Sequence, residues 1–175
     1  MRCFGMQINI SSIKNEVGAS KHAELDETFN PIEFDGEDVK FKEPVRISLD
    51  ITNAGDFFNV QGTVSTVIEL NCGRCLENFN YVLEFDFNED YYPVKEENKL
   101  LEDEEGIPFT GEEINLEPEI KANIQLSIPM RQVCSEECQG LCTHCGVNLN
   151  KKQCGCKDDN VDPRMAVLQD LFKKE

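Results

Sequence analysis

The sequence predicts an α+β protein: an antiparallel β-meander or barrel-like sheet, two packed helices and a C-terminal cysteine-rich segment. Three observations predict it. Through roughly the first ninety residues apolar and polar side chains alternate with a period of two, which buries one face of a strand. From Glu117 the apolar spacing becomes helical, and six of the nine cysteines fall between Cys134 and Cys156. Two regions follow: 1–130, an acidic β-rich domain ending in a helix, and 131–175, a cysteine-rich segment with a terminal helix.

Phe4 to Ile10 and Lys21 to Phe29 are short edge-strand candidates, with Ser11 to Val17 between them as a turn or a single helical turn. Val45, Ile47, Leu49 and Ile51 then alternate with Arg46, Ser48 and Asp50, and Asn53-Ala54-Gly55-Asp56 supplies turn chemistry. Phe58, Val60, Val64, Ile68 and Leu70 share a face opposite Asn59, Gln61, Thr63, Ser65 and Glu69, with Gly62 marking a bulge. Phe79, Tyr81, Leu83, Phe85 and Phe87 alternate with Asn80, Glu84, Asp86 and Asn88. These three runs make the meander. Glu117-Pro118-Glu119 is an acidic first turn that tolerates proline, Ile120, Ile124 and Ile128 form one stripe, and Pro129 ends the helix. Asp162-Pro163-Arg164 opens a second helix with the stripe Met165, Val167, Leu168, Leu171 and Phe172. Both stripes read as core.

Cys142-x-x-Cys145-Gly146 has the spacing of a metal knuckle: two intervening residues let both sulfurs reach one ion, and the glycine relieves crowding where backbone N–H groups turn toward the thiolates. Four thiolates in a tetrahedron suit a structural Zn²⁺, and a closed site of this kind adds folding free energy to a segment with almost no core. The first choice of ligands is Cys142, Cys145, Cys154 and Cys156, with the Val147 to Lys152 loop folding back as a hairpin. Cys138 and Cys134 are alternates, because the six thiols exceed the four that one zinc needs. Cys72-Gly73-Arg74-Cys75 lies where a hairpin must reverse. A thioredoxin-like Cys-x-x-Cys opens a helix, and strands on both sides argue against that chemistry. Cys72 and Cys75 are either a reduced structural pair or a knuckle; as a knuckle they join one of the later pairs and staple the zinc segment to the sheet.

Disulfides are the rival reading of these thiols. The N-terminus lacks a basic stretch followed by an apolar run and a small-residue cleavage site, and no apolar stretch approaches the ~18 residues of a membrane span. The expectation is a cytoplasmic chain with reduced thiols and no membrane partner.

Thirty-four acidic against 17 basic residues give a net charge of −17. From Arg131 to Glu175 seven bases match seven acids, so the whole excess falls in residues 1–130. Its peak runs from Glu96 to Glu105 and continues at Glu112 and Glu113. Such a block is a solvated loop or a docking surface for a basic partner. Lys151, Lys152, Lys157 and Arg164 surround the cysteines, where they balance thiolates or touch nucleic acid; direct RNA contact is expected only through this C-terminal segment. Of the two histidines, His22 and His144, neither has a nucleophile beside it, and His144 reads as a solvent-facing knuckle side chain. No phosphate-binding glycine loop occurs. The chain reads as a binding protein, not an enzyme.

Cys72-Gly-Arg-Cys75-Leu-Glu-Asn-Phe, the Cys138-Gln-Gly-Leu-Cys142-x-x-Cys145-Gly-Val-Asn-Leu-Asn run, the Cys154-x-Cys156 pair and Asp162-Pro-Arg-Met-Ala-Val-Leu together resemble the YceD family, named large ribosomal RNA subunit accumulation protein. The resemblance implies a role in accumulation or processing of 23S ribosomal RNA and supplies no catalytic residues. The expected function is a non-enzymatic ribosome-biogenesis factor whose partner is a basic ribosomal protein or a large-subunit precursor particle. An RNA-processing enzyme and a redox or metal-handling protein are the alternatives.

Overall fold

The computed structural model describes residues 6–94 and 106–156. Within them the chain forms strands β1 (Gln7–Asn9), β2 (Ser20–Glu27), β3 (Ile32–Phe34), β4 (Glu37–Phe41), β5 (Val45–Asn53), β6 (Phe58–Asn71), β7 (Asn78–Pro93), β8 (Ile107–Phe109) and β9 (Glu113–Asn115), followed by helix α1 (Glu117–Ser127). The meander β5-β6-β7 is its axis. β7 pairs with β6 along the whole length of that strand, from Phe58↔Tyr91 to Asn71↔Asn78. The opposite edge of β6 is shared: β5 pairs with Phe58 to Ser65, and β4 takes over at Ile68 and Glu69. β2 lies outside β5, and β8 runs parallel to the end of β7. β1 and β9 form a separate antiparallel pair.

The period-two pattern is carried out by burial. Val45, Leu49, Ile51, Val60, Val64 and Ile68 are wholly buried. β5 and β6 turn most of their polar residues outward, as a sheet with one solvated face requires, with Asn53 and Thr66 the buried exceptions. Gly62 does not mark a bulge. The registers of β5 and β7 against β6 run through it without a break, pairing it with Leu49 and Phe87. Its hydrogen is demanded by close backbone approach, since a Cβ there would lie 2.0 Å from the Ser48 carbonyl oxygen.

α1 starts with Pro118 in its first turn and buries Ile120 and Ile124. Ile128, just past its end, is also buried. Leu116 N–H donates to the Met6 carbonyl at 2.8 Å, which ties the helix start to the β1 edge. One helix is therefore present among the described residues. The second expected helix, from Asp162, and the acidic peak from Glu96 to Glu105 lie outside them. No helix among the described residues is long and apolar enough to cross a membrane.

Candidate metal centres

The β6–β7 connection, Cys72 to Glu77, is a tight knuckle. Cys72 N–H donates to the Glu77 carbonyl at 2.9 Å, and Leu76 N–H to the Cys72 carbonyl at 2.8 Å. The same turn recurs seventy positions later: Cys142 N–H donates to the Val147 carbonyl at 2.8 Å and Gly146 N–H to the Cys142 carbonyl at 2.9 Å. In both, the residue after the second cysteine is left-handed, Leu76 at φ 59° and Gly146 at φ 72°. This turn aims two sulfurs and nearby N–H groups at one point.

Two four-thiol groups result. Cys72, Cys75, Cys134 and Cys138 form one, Cys142, Cys145, Cys154 and Cys156 the other, with the sulfurs of each within 4.8 Å of one another. In the first, Cys72 lies 3.8 Å from Cys138 and Cys75 lies 3.8 Å from Cys134. A tetrahedral zinc with Zn–S of ~2.3 Å places its sulfurs ~3.8 Å apart, so the donor set fits that ion in number, chemistry and spacing. Cys142 and Cys154 are 3.4 Å apart. A disulfide needs ~2.05 Å, and the eight described cysteines are all free thiols. Cys3 lies outside the described residues.

The structure thus brings together the four residues Cys142, Cys145, Cys154 and Cys156. It moves Cys138 and Cys134 out of the role of substitutes for that set, because both sulfurs face the hairpin pair. The surplus thiols have a place of their own. The signal was available in the count: eight thiols in four close pairs make two sets of four, whereas six thiols weighed alone leave a remainder.

The electrostatics of each group are those of a site that could hold a cation. Burial pushes the Cys72 thiol up, but N–H groups of Cys134, Cys75 and Arg74 outweigh it and hold the pKa at about 6. Cys142 is brought down to about 6 by N–H donors from Cys145 and His144. Neighbouring sulfurs then resist a second charge: contact with Cys138 holds Cys134 up at about 12, and contact with Cys145 holds Cys156 there too. Burial pushes Cys138 up as well, but the Asn150 amide and the Gly140 N–H lower it overall, so the thiols that would give up protons to a bound ion are the raised ones, Cys75 and Cys134 in the first group and Cys154 and Cys156 in the second.

Side chains outside the cysteines lock the assembly. Arg74 Nη1 donates to the carbonyls of Glu136 at 3.1 Å and Cys138 at 2.9 Å, fixing the incoming segment on the hairpin. Gly140 is left-handed at φ 73°, and a Cβ there would meet the Arg74 carbonyl at 3.0 Å. Asn150 joins the two groups: its Oδ1 accepts from Gln139 N–H at 2.8 Å and its Nδ2 donates to Cys138 Sγ at 3.3 Å. Lys151 Nζ meets both Glu77 oxygens at 2.6 Å. That cation is committed to a carboxylate of the hairpin, so its partner is within the chain. Lys157 and Arg164 lie outside the described residues. Asn150 carries no signal in the sequence, since an asparagine in a polar loop is ordinary. His144 is exposed, and its backbone N–H donates to Cys142 Sγ at 3.4 Å.

Comparison with known proteins places this arrangement. A family described as large ribosomal RNA subunit accumulation protein YceD matches residues 60–172. The chain is 31% identical to the Large ribosomal RNA subunit accumulation protein YCED homolog 1, chloroplastic, of Zea mays, over 75% of this chain and 55% of the relative. It is 29% identical to the Arabidopsis thaliana protein of the same description, over 75% and 51%. It therefore spans about half the length of these plant relatives. With the uncharacterized protein YlbN of Bacillus subtilis it shares 29% identity over 87% of this chain and 89% of the relative. No solved structure matches the chain.

Proposed function

The chain belongs to the YceD family, and from that premise we propose that it is a non-enzymatic ribosome-biogenesis factor, cytoplasmic, that supports accumulation or processing of 23S ribosomal RNA by binding a basic ribosomal protein or the large-subunit precursor particle. The family description names accumulation of large-subunit RNA, not a reaction. The observation that carries the choice of partner is the charge division: all of the net −17 falls in residues 1–130. A body of that sign repels phosphate and attracts cationic polypeptide. The near-neutral segment 131–175 is then the part able to approach RNA.

On this reading both four-thiol groups hold structural Zn²⁺. The ion's contribution is to neutralise four thiolates and fix the segment against the sheet. Cys72, Cys75, Cys134 and Cys138 would hold one ion, and Cys142, Cys145, Cys154 and Cys156 the other. Residues 1–130 and 131–175 then act as an acidic domain and its metal-fixed appendage.

Pull-down with the intact protein should recover large-subunit precursors or a basic ribosomal protein, and the yield should fall as salt is raised, because exposed charges are screened. Recovery of neither at low salt would end this reading.

A further inference from the structure

The two knuckles differ at one position in a way that the turn does not need. Leu76 sits at φ 59°, where the twin turn has Gly146. A side chain in that region costs about 1–2 kcal/mol, and Leu76 returns little to the core because it is 69% exposed. Strain retained for an exposed apolar side chain points to a surface in use.

Leu76 has company. Met130, 104% exposed, lines the same groove of about 260 Å³, together with Phe34, Asp35, Glu37 and the buried Cys72. The groove continues into a narrower crevice of about 70 Å³ that shares Phe34 and Glu37 and adds Asp38, Lys40 and Glu69. Two of these acids are engaged: Glu37 accepts from Asn71 Nδ2 at 2.6 Å, and Glu69 pairs with Lys42 at 2.6 Å. Lys40 stands opposite Glu69 in register. Asp35 and Asp38 have no ion-pair partner among the described residues. With Lys40 and Lys42 on the Glu69 side, the lining still carries more acids than bases, and an apolar lip next to Asp35 and Asp38 suits a segment in which aliphatic and cationic side chains occur together.

We infer that this groove beside the first thiol group docks a basic polypeptide segment, with Leu76 and Met130 gripping its aliphatic side chains and Asp35 and Asp38 facing its Lys or Arg. The inference rests on the proposed function and names the surface through which a basic partner is held.

The test titrates the full-length zinc-loaded protein with two labelled synthetic peptides of equal charge, one alternating Lys with Leu and one alternating Lys with Ser. The Lys-Leu peptide should bind more tightly. Leu76→Gly and Met130→Ser should each weaken it about tenfold, the size of a single anchor, and Asp35→Asn with Asp38→Asn should flatten its salt dependence. Leu126→Ser, which removes an 83% exposed side chain outside the groove, should change nothing. Equal binding of the two peptides, an equal loss with Leu126→Ser, or self-association abolished by Leu76→Gly each overturns the inference. Leu76→Gly relieves strain, so a folding defect does not confound it. If wild type recovers large-subunit material and Leu76→Gly recovers as much, the groove is wrong and the function stands; if neither recovers any, the function fails.

Discussion

The first thiol group joins Cys72 and Cys75 of the β6–β7 hairpin to Cys134 and Cys138, with Cys72 and Cys138 separated by 66 residues. The second is local, with Cys154 only 12 positions after Cys142. Burial follows the same division. In the first group only Cys134 is exposed, whereas in the second only Cys142 is buried. One backbone turn thus serves two tasks. With an ion bound as proposed, on the sheet it would cross-link distant parts of the chain, which removes more unfolded-chain entropy than a short loop does; in the appendage it would shape a segment too small for a core of its own.

The largest expected effect tests that asymmetry directly. If both groups hold zinc as proposed, Cys138→Ser should remove the first ion and release the appendage from the hairpin, read as loss of bound metal and rapid proteolysis within 131–156. Cys145→Ser should remove only the second zinc and leave the appendage docked. Equal proteolysis of the two variants would erase the distinction. A timed chelator challenge sharpens it: zinc from the two groups should leave in two phases, with the fast phase absent from Cys145→Ser.

Next in size is the turn itself. Exchanging its left-handed residue should give opposite signs at the two sites: Leu76→Gly stabilises and Gly146→Leu destabilises, each by about 1–2 kcal/mol in thermal or urea unfolding of the zinc-loaded protein. Matching signs would show that the turns are not equivalent.

The smallest effect contrasts the pH response of the appendage with that of the sheet. Cys134 and Cys156, held up at about 12, must lose protons to ligate. Zinc loading should therefore release protons and strengthen as pH rises. His22 responds the other way. Its hydrogen bonds to Asp50, at 2.9 Å, and to Glu24 raise its pKa above 6.5. The stabilisation is complete below 6.5 and is lost as pH rises through the raised value. His22→Gln should slightly lower the unfolding temperature under mildly acidic conditions and leave it unchanged above neutrality. A larger difference at alkaline pH would reverse that sign.

The strands were legible because alternation has physical cause on a half-buried sheet: Val45 to Ile51, Phe58 to Leu70 and Phe79 to Phe87 each bury one face and occur as β5, β6 and β7. The stripe Ile120, Ile124 and Ile128 marked α1 for the same reason. Gly62 stands in for close backbone approach and not for a bulge, and a glycine in a strand signals either one, which the one-dimensional pattern does not separate. β4, the β3–β4 hairpin and the parallel pairing of β8 left no long alternating run to read. Asp35-Gly36, both at positive φ in that hairpin, was the available turn signal.

By itself the sequence determined that this chain has an acidic, strand-rich part with a meander at its centre, an amphipathic helix after it, and knuckle-spaced cysteines in its last third. Those properties depend on periodicity and on spacing over a few residues. Only the tertiary structure decided which thiols meet, that Arg74 fixes the cysteine segment on the hairpin while Asn150 joins the two groups, and that Leu76 and Met130 share one groove. The first thiol group, the Arg74 bonds and the groove of Leu76 and Met130 join residues far apart in the chain, and such juxtapositions are set by how β6 and β7 reverse and where the segment after α1 returns to them.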